Sequence, residues 1–240
     1  MTLYRDDLSR IQAEAFGEYA DRLMPRVLGL LGAGDAKTRV LDIGCGAGIS
    51  TRRLLDHGFS VVALEPSQTL INHARELAPE ATFLCSSVWD GVLPACHAAL
   101  AIGEPLTYHA RDVDAGARLR GLLEYFRSAL PPGGKFIFDF IEADGAPLDA
   151  KRFRTEREWV LLVDTVEDRA AHRLTRTIDT FTHVDALELD VWRRERELHE
   201  VVLFARGDVA KWLDAAGFEA SLTDADPALP RRVLVSATRR

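Results

Sequence analysis

Asp42, Gly44, Gly46, Gly48 and Glu65 are residue types at spacings that suit ligand binding. The first four fall in Arg39-Val40-Leu41-Asp42-Ile43-Gly44-Cys45-Gly46-Ala47-Gly48, where an apolar run gives way to an acid and then to glycine at alternate positions. Glycine lets a backbone approach a ligand closely, and the free N–H groups in the first turn of a following helix favour a negative group. Cys45, inside the turn, reads as a small packing residue rather than a nucleophile. About twenty residues on, Ser60-Val61-Val62-Ala63-Leu64 ends in Glu65 and Pro66, and an acid at such a strand end suits the two hydroxyls of a ribose.

A dinucleotide fingerprint needs a third glycine where this chain has Ile49. Asp42 argues the same way. A pyrophosphate in the turn would lie close to this carboxylate, and like charges at short range in a partly desolvated site repel strongly. S-adenosyl-L-methionine carries a sulfonium, an ammonium and one carboxylate but no phosphate, so an acid at the mouth of the turn favours it as cofactor. A nicotinamide-dependent oxidoreductase is the disfavoured alternative.

Three stretches together carry a family resemblance. Val40 to Gly48, then Ala63-Leu64-Glu65-Pro66-Ser67, then Leu130-Pro131-Pro132-Gly133-Gly134-Lys135-Phe136, resemble class I S-adenosylmethionine-dependent methyltransferases of the small-molecule type. The resemblance implies a Rossmann-like α/β fold: seven strands, mostly parallel, with helices on both faces. It also implies an acid after the third strand to accept a hydrogen bond from the adenine amino group, with an apolar residue next. Here Ser87 and Val88 stand at those positions, a departure that leaves Trp89 and Asp90 as the neighbours able to compensate. An N-terminal helical segment covering the cofactor is likewise implied, with Tyr4, Phe16 or Tyr19 closing over the site.

The elements that must position these residues follow from periodicity. Tyr4 to Leu31 reads as one helix, from Leu8, Ile11, Ala15, Phe16 and Tyr19 and then Leu23, Val27, Leu28 and Leu31. Ser67 is a candidate N-cap for a helix ending before Pro79, and Asp208 for one ending at Gly217. Ala98 to Ile102 is apolar throughout, as a strand buried on both faces should be, and opens into Gly103-Glu104-Pro105-Leu106-Thr107-Tyr108-His109. Ligands of open α/β sheets bind beyond the carboxyl ends of the strands, so Ile102, Gly103, Tyr108 and His109 are expected beside the methyl group. Histidine titrates near neutrality, which makes His109 a candidate base. Asp139 and Glu142, at the end of strand 5, are expected near the substrate side, at least one of them solvated.

Between Ala143 and Arg206 the pattern becomes one of consecutive alternating strands: Glu158 to Asp164, Arg173 to His183, and one or two more over Leu187 to Arg196 and Leu198 to Phe204. Short turns between such strands mean an antiparallel sheet. By the resemblance this insertion roofs the active site or builds a homodimer contact. Arg176, His183 and His199 are its candidates to reach the pocket, His199 foremost as a catalytic residue with Tyr108 and His109. The expected division is residues 1–35 as a helical cap, 36–144 as the cofactor-binding core, 145–206 as the insertion and 207–240 as completion of the core sheet.

Composition bounds the rest. A chain of 240 residues, 47% hydrophobic, can bury one substantial core. A net charge of −7 gives no electrostatic reason to expect nucleic acid, and the insertion, with 11 basic and 12 acidic residues from Lys151 to Arg206, is no basic patch. Cys45, Cys85 and Cys96 read as free thiols of a reducing cytoplasm. No stretch reaches transmembrane length, and Arg5, Asp6 and Asp7 stand where a signal peptide would be apolar. No metal-ligand cluster is recognisable, so no metal is expected. The expected activity is methyl transfer to a nitrogen or oxygen of a small molecule in the cytoplasm. The alternative from another class is a non-catalytic cofactor-binding partner subunit.

Overall fold

The structure is a computed structural model that describes residues 4–15, 17–186 and 189–240. Phe16, expected to cover the site, and Leu187, an expected strand start, lie outside the described residues. Five strands, β1 (Arg39–Ile43), β2 (Ser60–Leu64), β3 (Thr82–Leu84), β4 (Ala98–Ala101) and β5 (Lys135–Ile141), run parallel in the order β5-β4-β1-β2-β3. Four more form a separate antiparallel sheet: β6 (Ala150–Thr155), β7 (Trp159–Asp168), β8 (Arg173–Ala186) and β9 (Leu189–Val202). The chain then returns to the first sheet as β10 (Phe218–Asp224) and β11 (Arg232–Arg239), which add antiparallel on β5 and complete the order β10-β11-β5-β4-β1-β2-β3. The Rossmann-like α/β architecture with an antiparallel insertion is therefore as expected.

Six helices are described, and all but the first cover the two faces of the first sheet. They are α1 (Asp6–Ala15), α2 (Glu18–Leu31), α3 (Ile49–Asp56), α4 (Gln68–Leu77), α5 (Ala115–Ala129) and α6 (Arg206–Ala215). One core layer joins Leu119, Leu122 and Phe126 of α5 and Leu213 of α6 to Leu41, Ile43, Phe136, Phe138 and Phe140. The other joins Leu23, Met24 and Val27 of α2, Leu54 of α3 and Ile71 of α4 to Val40, Val61, Leu100 and Ile137. Successive strand residues face opposite ways. On β1 that alternation turns Asp42 with Val40 toward α3, and on β5 it turns Asp139 with Ile137 toward α2. Both acids are thereby committed to the helical layer of the second core.

Several local readings are corrected. The single N-terminal helix is two, broken at Gly17, because its apolar stripes serve different partners. Leu8, Ile11 and Ala15 of α1 pack on Trp159, Leu161 and Ile178 of the inserted sheet, while α2 packs on the first sheet. One straight helix would not reach both. Of the one or two strands expected from Leu187 to Phe204 the structure has one, β9, since no turn residue interrupts it. The edge strand β6, Ala-Lys-Arg-Phe-Arg-Thr, is not among the expected strands because charge masks its alternation, as is usual for a sheet edge. Ser67 does cap α4, accepting from the Leu70 N–H at 3.4 Å. Asp208 does not cap α6: the helix begins at Arg206, and Asp208 lies inside its first turn, where a negative charge suits the helix dipole. On the outer face of the inserted sheet, Phe153, Leu162, Val166 and Leu198 are exposed.

Candidate functional site

The glycine turn is built as its spacing implies. Gly44, Gly46 and Gly48 have φ of 67°, 55° and 90°, the left-handed region that side chains disfavour. At Gly44 a Cβ would lie 2.5 Å from the Pro105 Cβ, and at Gly48 it would lie 2.9 Å from Ala74. The Gly44 and Cys45 N–H groups donate to the Leu64 carbonyl at 2.8 and 3.1 Å, which seats the turn over the end of β2. A cavity of about 700 Å³ opens above it. Gly44, Cys45, Gly46, Glu65, Pro66, Ser87, Val88, Trp89, Ile102, Gly103, Tyr108, His109 and Tyr4 all contribute to its wall.

Asp42 does not. It is 1% exposed and accepts from Ser50 Oγ at 2.7 Å and Thr51 Oγ1 at 2.6 Å. Burial raises its carboxyl to about 6 despite those two donors. The expected filter at the mouth of the turn is thus corrected: Asp42 ties the first turn of α3 to β1 and reaches the cavity through that helix and through its charge on Glu65, not by lining the wall. Glu65 is the acid that reaches the wall. Its carboxylate accepts the Gly46 N–H at 3.1 Å and the Ser67 N–H at 2.9 Å, linking the glycine turn to α4.

At the far end, Ser87 Oγ accepts from the Trp89 N–H at 3.2 Å, and Asp90 accepts from the Ser87 N–H at 3.4 Å. The polar groups at this departure from the family pattern are spent on shaping the loop, leaving the Trp89 ring on the wall. The Arg118 guanidinium lies 5.5 Å over that ring, and the His109 ring is 4.9 Å from it.

The loop after β4 is held by two buried acids. Asp139 accepts the N–H groups of Gly103 and Glu104 at 2.9 and 2.7 Å, and the Tyr19 phenol donates to its other oxygen. It is fully buried, so the expectation of a solvated carboxylate is overturned for Asp139. Glu142 instead pairs with Arg206 at 2.9 Å. Glu104 has φ of 61°, an unusual value for a non-glycine residue. Its carboxylate is clamped between Arg176 and Arg232, the latter at 2.8 Å. Burial alone would raise its pKa, but the two guanidiniums prevail and hold it at about 2. The Tyr108 phenol donates to Glu104 at 3.3 Å, and the phenols of Tyr4 and Tyr108 are 3.3 Å apart.

The sequence signature of the methyltransferase domain family matches residues 12–223. The chain belongs to this family. A curated relative, the biotin biosynthesis bifunctional protein BioHC of Cellvibrio japonicus (strain Ueda107), is 29% identical over 100 residues, or 41% of this chain; the match spans 19% of the relative's length. Among solved structures, the sugar N-methyltransferase KedS8 from Streptoalloteichus sp ATCC 53650 is similar with a TM-score of 0.74 at 21% identity, over 100% of this chain and 97% of that one. SAM-bound CalS10, an amino pentose methyltransferase from Micromonospora echinaspora, gives 0.68 at 16% identity, over 100% and 99%. At these identities the likeness is one of fold.

In this member of the methyltransferase domain family the three expected catalytic residues separate. Tyr108 lies on the wall, fixed by Glu104 and Tyr4. His109 is also there, but its Nε2 is engaged with the Leu106 carbonyl at 3.0 Å, and its buried Nδ1 has no hydrogen-bond partner among the described residues. Burial, with Arg118 and Arg173 nearby, lowers it to about 4, so it is not a base poised near neutrality. His199 is not part of the wall. It is 1% exposed, sits well inside β9 rather than at a strand start, and pairs with Glu197 at 2.9 Å behind the rings of Tyr4 and Tyr108. Arg176 points into the Glu104 clamp, and His183 pairs with Glu158 at 3.7 Å; neither lines the cavity. Glu104, Arg232 and Glu197 are site residues that sequence reasoning misses. The readable signal for Glu104 is an acid two positions beyond the apolar run Ala98 to Ile102; for the other two there is none.

Proposed function

We propose that this methyltransferase uses S-adenosyl-L-methionine to methylate an amine nitrogen of a small molecule. When bound, the cofactor supplies an activated methyl group on a sulfonium. The residues fit it: Gly44 and Gly48, which no side chain could replace without collision, and a wall carboxylate at Glu65 for ribose hydroxyls. Gly44, Cys45 and Gly46 would hold its amino-acid end, Val88 and Trp89 its adenine. The names of KedS8 and CalS10, a sugar N-methyltransferase and an amino pentose methyltransferase, agree with a nitrogen acceptor on a small molecule.

The observation that carries the acceptor atom is that the groups around Tyr108 are poor bases: Glu104 is ionised but clamped by two guanidiniums, and His109 is held well below neutrality. Tyr108 has one proton and gives it to an ionised Glu104, so the Tyr4 phenol donates to Tyr108. The phenol oxygens can then accept from an N–H or an O–H of the methyl acceptor, and what separates the two is the base each one needs. Burial of the two phenols raises their pKa values, Glu104 is held ionised, and His109 is a weak base. The other wall carboxylates are engaged: Glu65 with two amides, Asp90 with one, and Glu200 with Arg111. A hydroxyl must lose its proton during attack, and the described wall offers no base for it beyond Asp90, which sits on the loop with Ser87 and Trp89 at the proposed adenine end. An amine enters neutral, because desolvation disfavours the ammonium, and its proton leaves with the product into water. Holding the two reactants at attack distance can contribute about 7–11 kcal/mol. The test is a panel of matched amines and alcohols assayed for S-adenosylhomocysteine release at pH 7.5. Amines are expected to turn over and their hydroxyl counterparts not; a hydroxyl compound methylated faster than its amine partner would discard the nitrogen reading.

Acidity offers a second check. Burial raises the Glu65 carboxyl from its ordinary 4.5 to about 7. For an acid whose folded pKa is raised, the free protein is relatively favoured at low pH and loses that stability as pH rises through about 7. Ribose hydroxyls, however, need the ionised form. Cofactor affinity, followed by calorimetry from about pH 5.5 to about pH 8.5, is therefore expected to climb up to about pH 7 and level off, while the melting temperature of the free protein declines up to about pH 7 and then levels off. Affinity independent of pH across that range would remove Glu65 from the site.

A further inference from the structure

Among the described residues, Tyr4 is the one wall residue supplied from ahead of the first helix, and its backbone is in an uncommon state. Its φ is 55°, in the left-handed region that an aromatic residue rarely occupies without being held there. Three elements hold it. The Ser67 hydroxyl, at the cap of α4, donates to its carbonyl at 3.1 Å, as does Ser9 of α1. Its N–H and that of Arg5 donate to the two carboxylate oxygens of Glu197 on β9, each at 2.8 Å.

Glu197 is 6% exposed, an expensive place for a carboxylate unless each oxygen is satisfied. It is an acceptor only, so the His199 nitrogen 2.9 Å away must donate to it. The Arg5 side chain stands 3.8 Å from it. The His199 ring in turn meets the Tyr4 ring edge-on at 5.0 Å and the Tyr108 ring at 5.9 Å. One buried acid and one buried histidine of the inserted sheet therefore fix both the backbone and the ring of a residue on the cavity wall, although neither of them lines the cavity.

We infer that Glu197 and His199 are positioning residues that dock Tyr4 across the cavity, so that the inserted sheet sets how long the cofactor stays bound. Glu197 contributes an anion at which two successive backbone N–H groups converge. That arrangement compensates the strained conformation of Tyr4 and holds its phenol against Tyr108. Without it, the backbone of Tyr4 keeps only the two serine contacts to its carbonyl, the Arg5 guanidinium keeps the Arg196 carbonyl, and the Tyr4 ring is freed to move off Tyr108 and open the cavity on that side. The inference rests on the methyltransferase reading of the cavity.

The experiment measures dissociation of S-adenosylhomocysteine by stopped-flow fluorescence for wild type, Tyr4→Ala, Glu197→Gln, Glu197→Asp and the Tyr4→Ala/Glu197→Gln double variant. Glu197→Gln keeps the reach and loses the charge; Glu197→Asp keeps the charge and loses the reach, so folding of either one suffices. Each single variant is expected to speed dissociation about tenfold, the scale of one charge-assisted hydrogen bond. Because Glu197 acts through Tyr4, the double variant is expected to be no faster than Tyr4→Ala, a non-additivity that general loss of stability does not produce. Unchanged dissociation in the Glu197 variants, or effects that multiply in the double variant, would overturn the docking role while leaving the methyltransferase reading intact. Failure of the wild type to bind S-adenosylhomocysteine at all would instead bring down that reading, and the inference with it.

Discussion

Gly44→Val is expected to abolish binding of S-adenosylhomocysteine while the chain stays folded. At φ of 67° a β-branched residue is in a region it avoids, a cost of about 1–3 kcal/mol for strain alone. Its Cβ would also lie 2.5 Å from the Pro105 Cβ, and since that contact is a proline ring rather than the end of a flexible side chain, the turn itself must move. Movement breaks the paired N–H donation of Gly44 and Cys45 to Leu64 and shifts Gly46 off the Glu65 carboxylate. The proposed seat of the cofactor's amino-acid end and that of its ribose are thus disturbed together, and a loss of ~100-fold or more in affinity follows from a few kcal/mol. The buried residues that hold β1 and α3 in the fold, Leu41, Ile43 and Leu54, lie in the two core layers, so the far-ultraviolet circular dichroism spectrum should be retained. A calorimetric Kd within about threefold of wild type, less than 1 kcal/mol, would mean that the cofactor does not use this turn.

What is readable in the sequence is local. The alternate glycines, the acid ending the next strand and the serine cap of α4 each depend on residues within a turn or a strand, and each is found as expected. Strand alternation carries the antiparallel insertion for the same reason, since a period of two is visible without knowing the partner. Asp42 shows where this stops. Its proximity to the turn is legible, but its direction depends on which face of β1 receives α3, and Ser50 and Thr51 become donors only once that face is chosen. The clamp on Glu104 lies further beyond reach, because its arginines come from 72 and 128 positions away. His199 stands out as a residue type able to do chemistry, whereas its place is decided by Glu197 two residues earlier and by rings from two other segments. Residues that bind through their own backbone can be read from spacing. Residues that act by charge need the tertiary partner.

The same clamp governs the second large effect. Glu104→Gln is expected to lower stability by about 3–5 kcal/mol, the usual cost of removing one partner from a buried ion pair, because two guanidiniums are left facing a neutral amide. Around the site the charges balance as two acids, Glu104 and Asp139, against Arg176 and Arg232, with Asp139 3.5 Å from Arg232. The substitution leaves a surplus of positive charge where water cannot screen it. For a chain of this size the melting temperature should drop by roughly 10 °C. The sign with pH is also fixed. The Glu104 carboxyl is depressed to about 2 from its ordinary 4.5, so its contribution is present above about pH 4.5 and is lost as pH falls toward 2. The melting difference between wild type and variant should therefore be full at pH 7 and shrink on acidification below about 4.5. Pairing Glu104→Leu with Arg176→Met restores neutrality, leaving Asp139 and Arg232 to balance each other, and should recover much of the stability, as replacing a buried pair by apolar residues often does. Turnover should not recover with it, because Tyr108 then has no anion to fix the direction of its proton. A double variant that regained stability and turnover together would reduce Glu104 to a packing element, and a single variant melting within about 2 °C of wild type would mean that the clamp contributes less than about 1 kcal/mol.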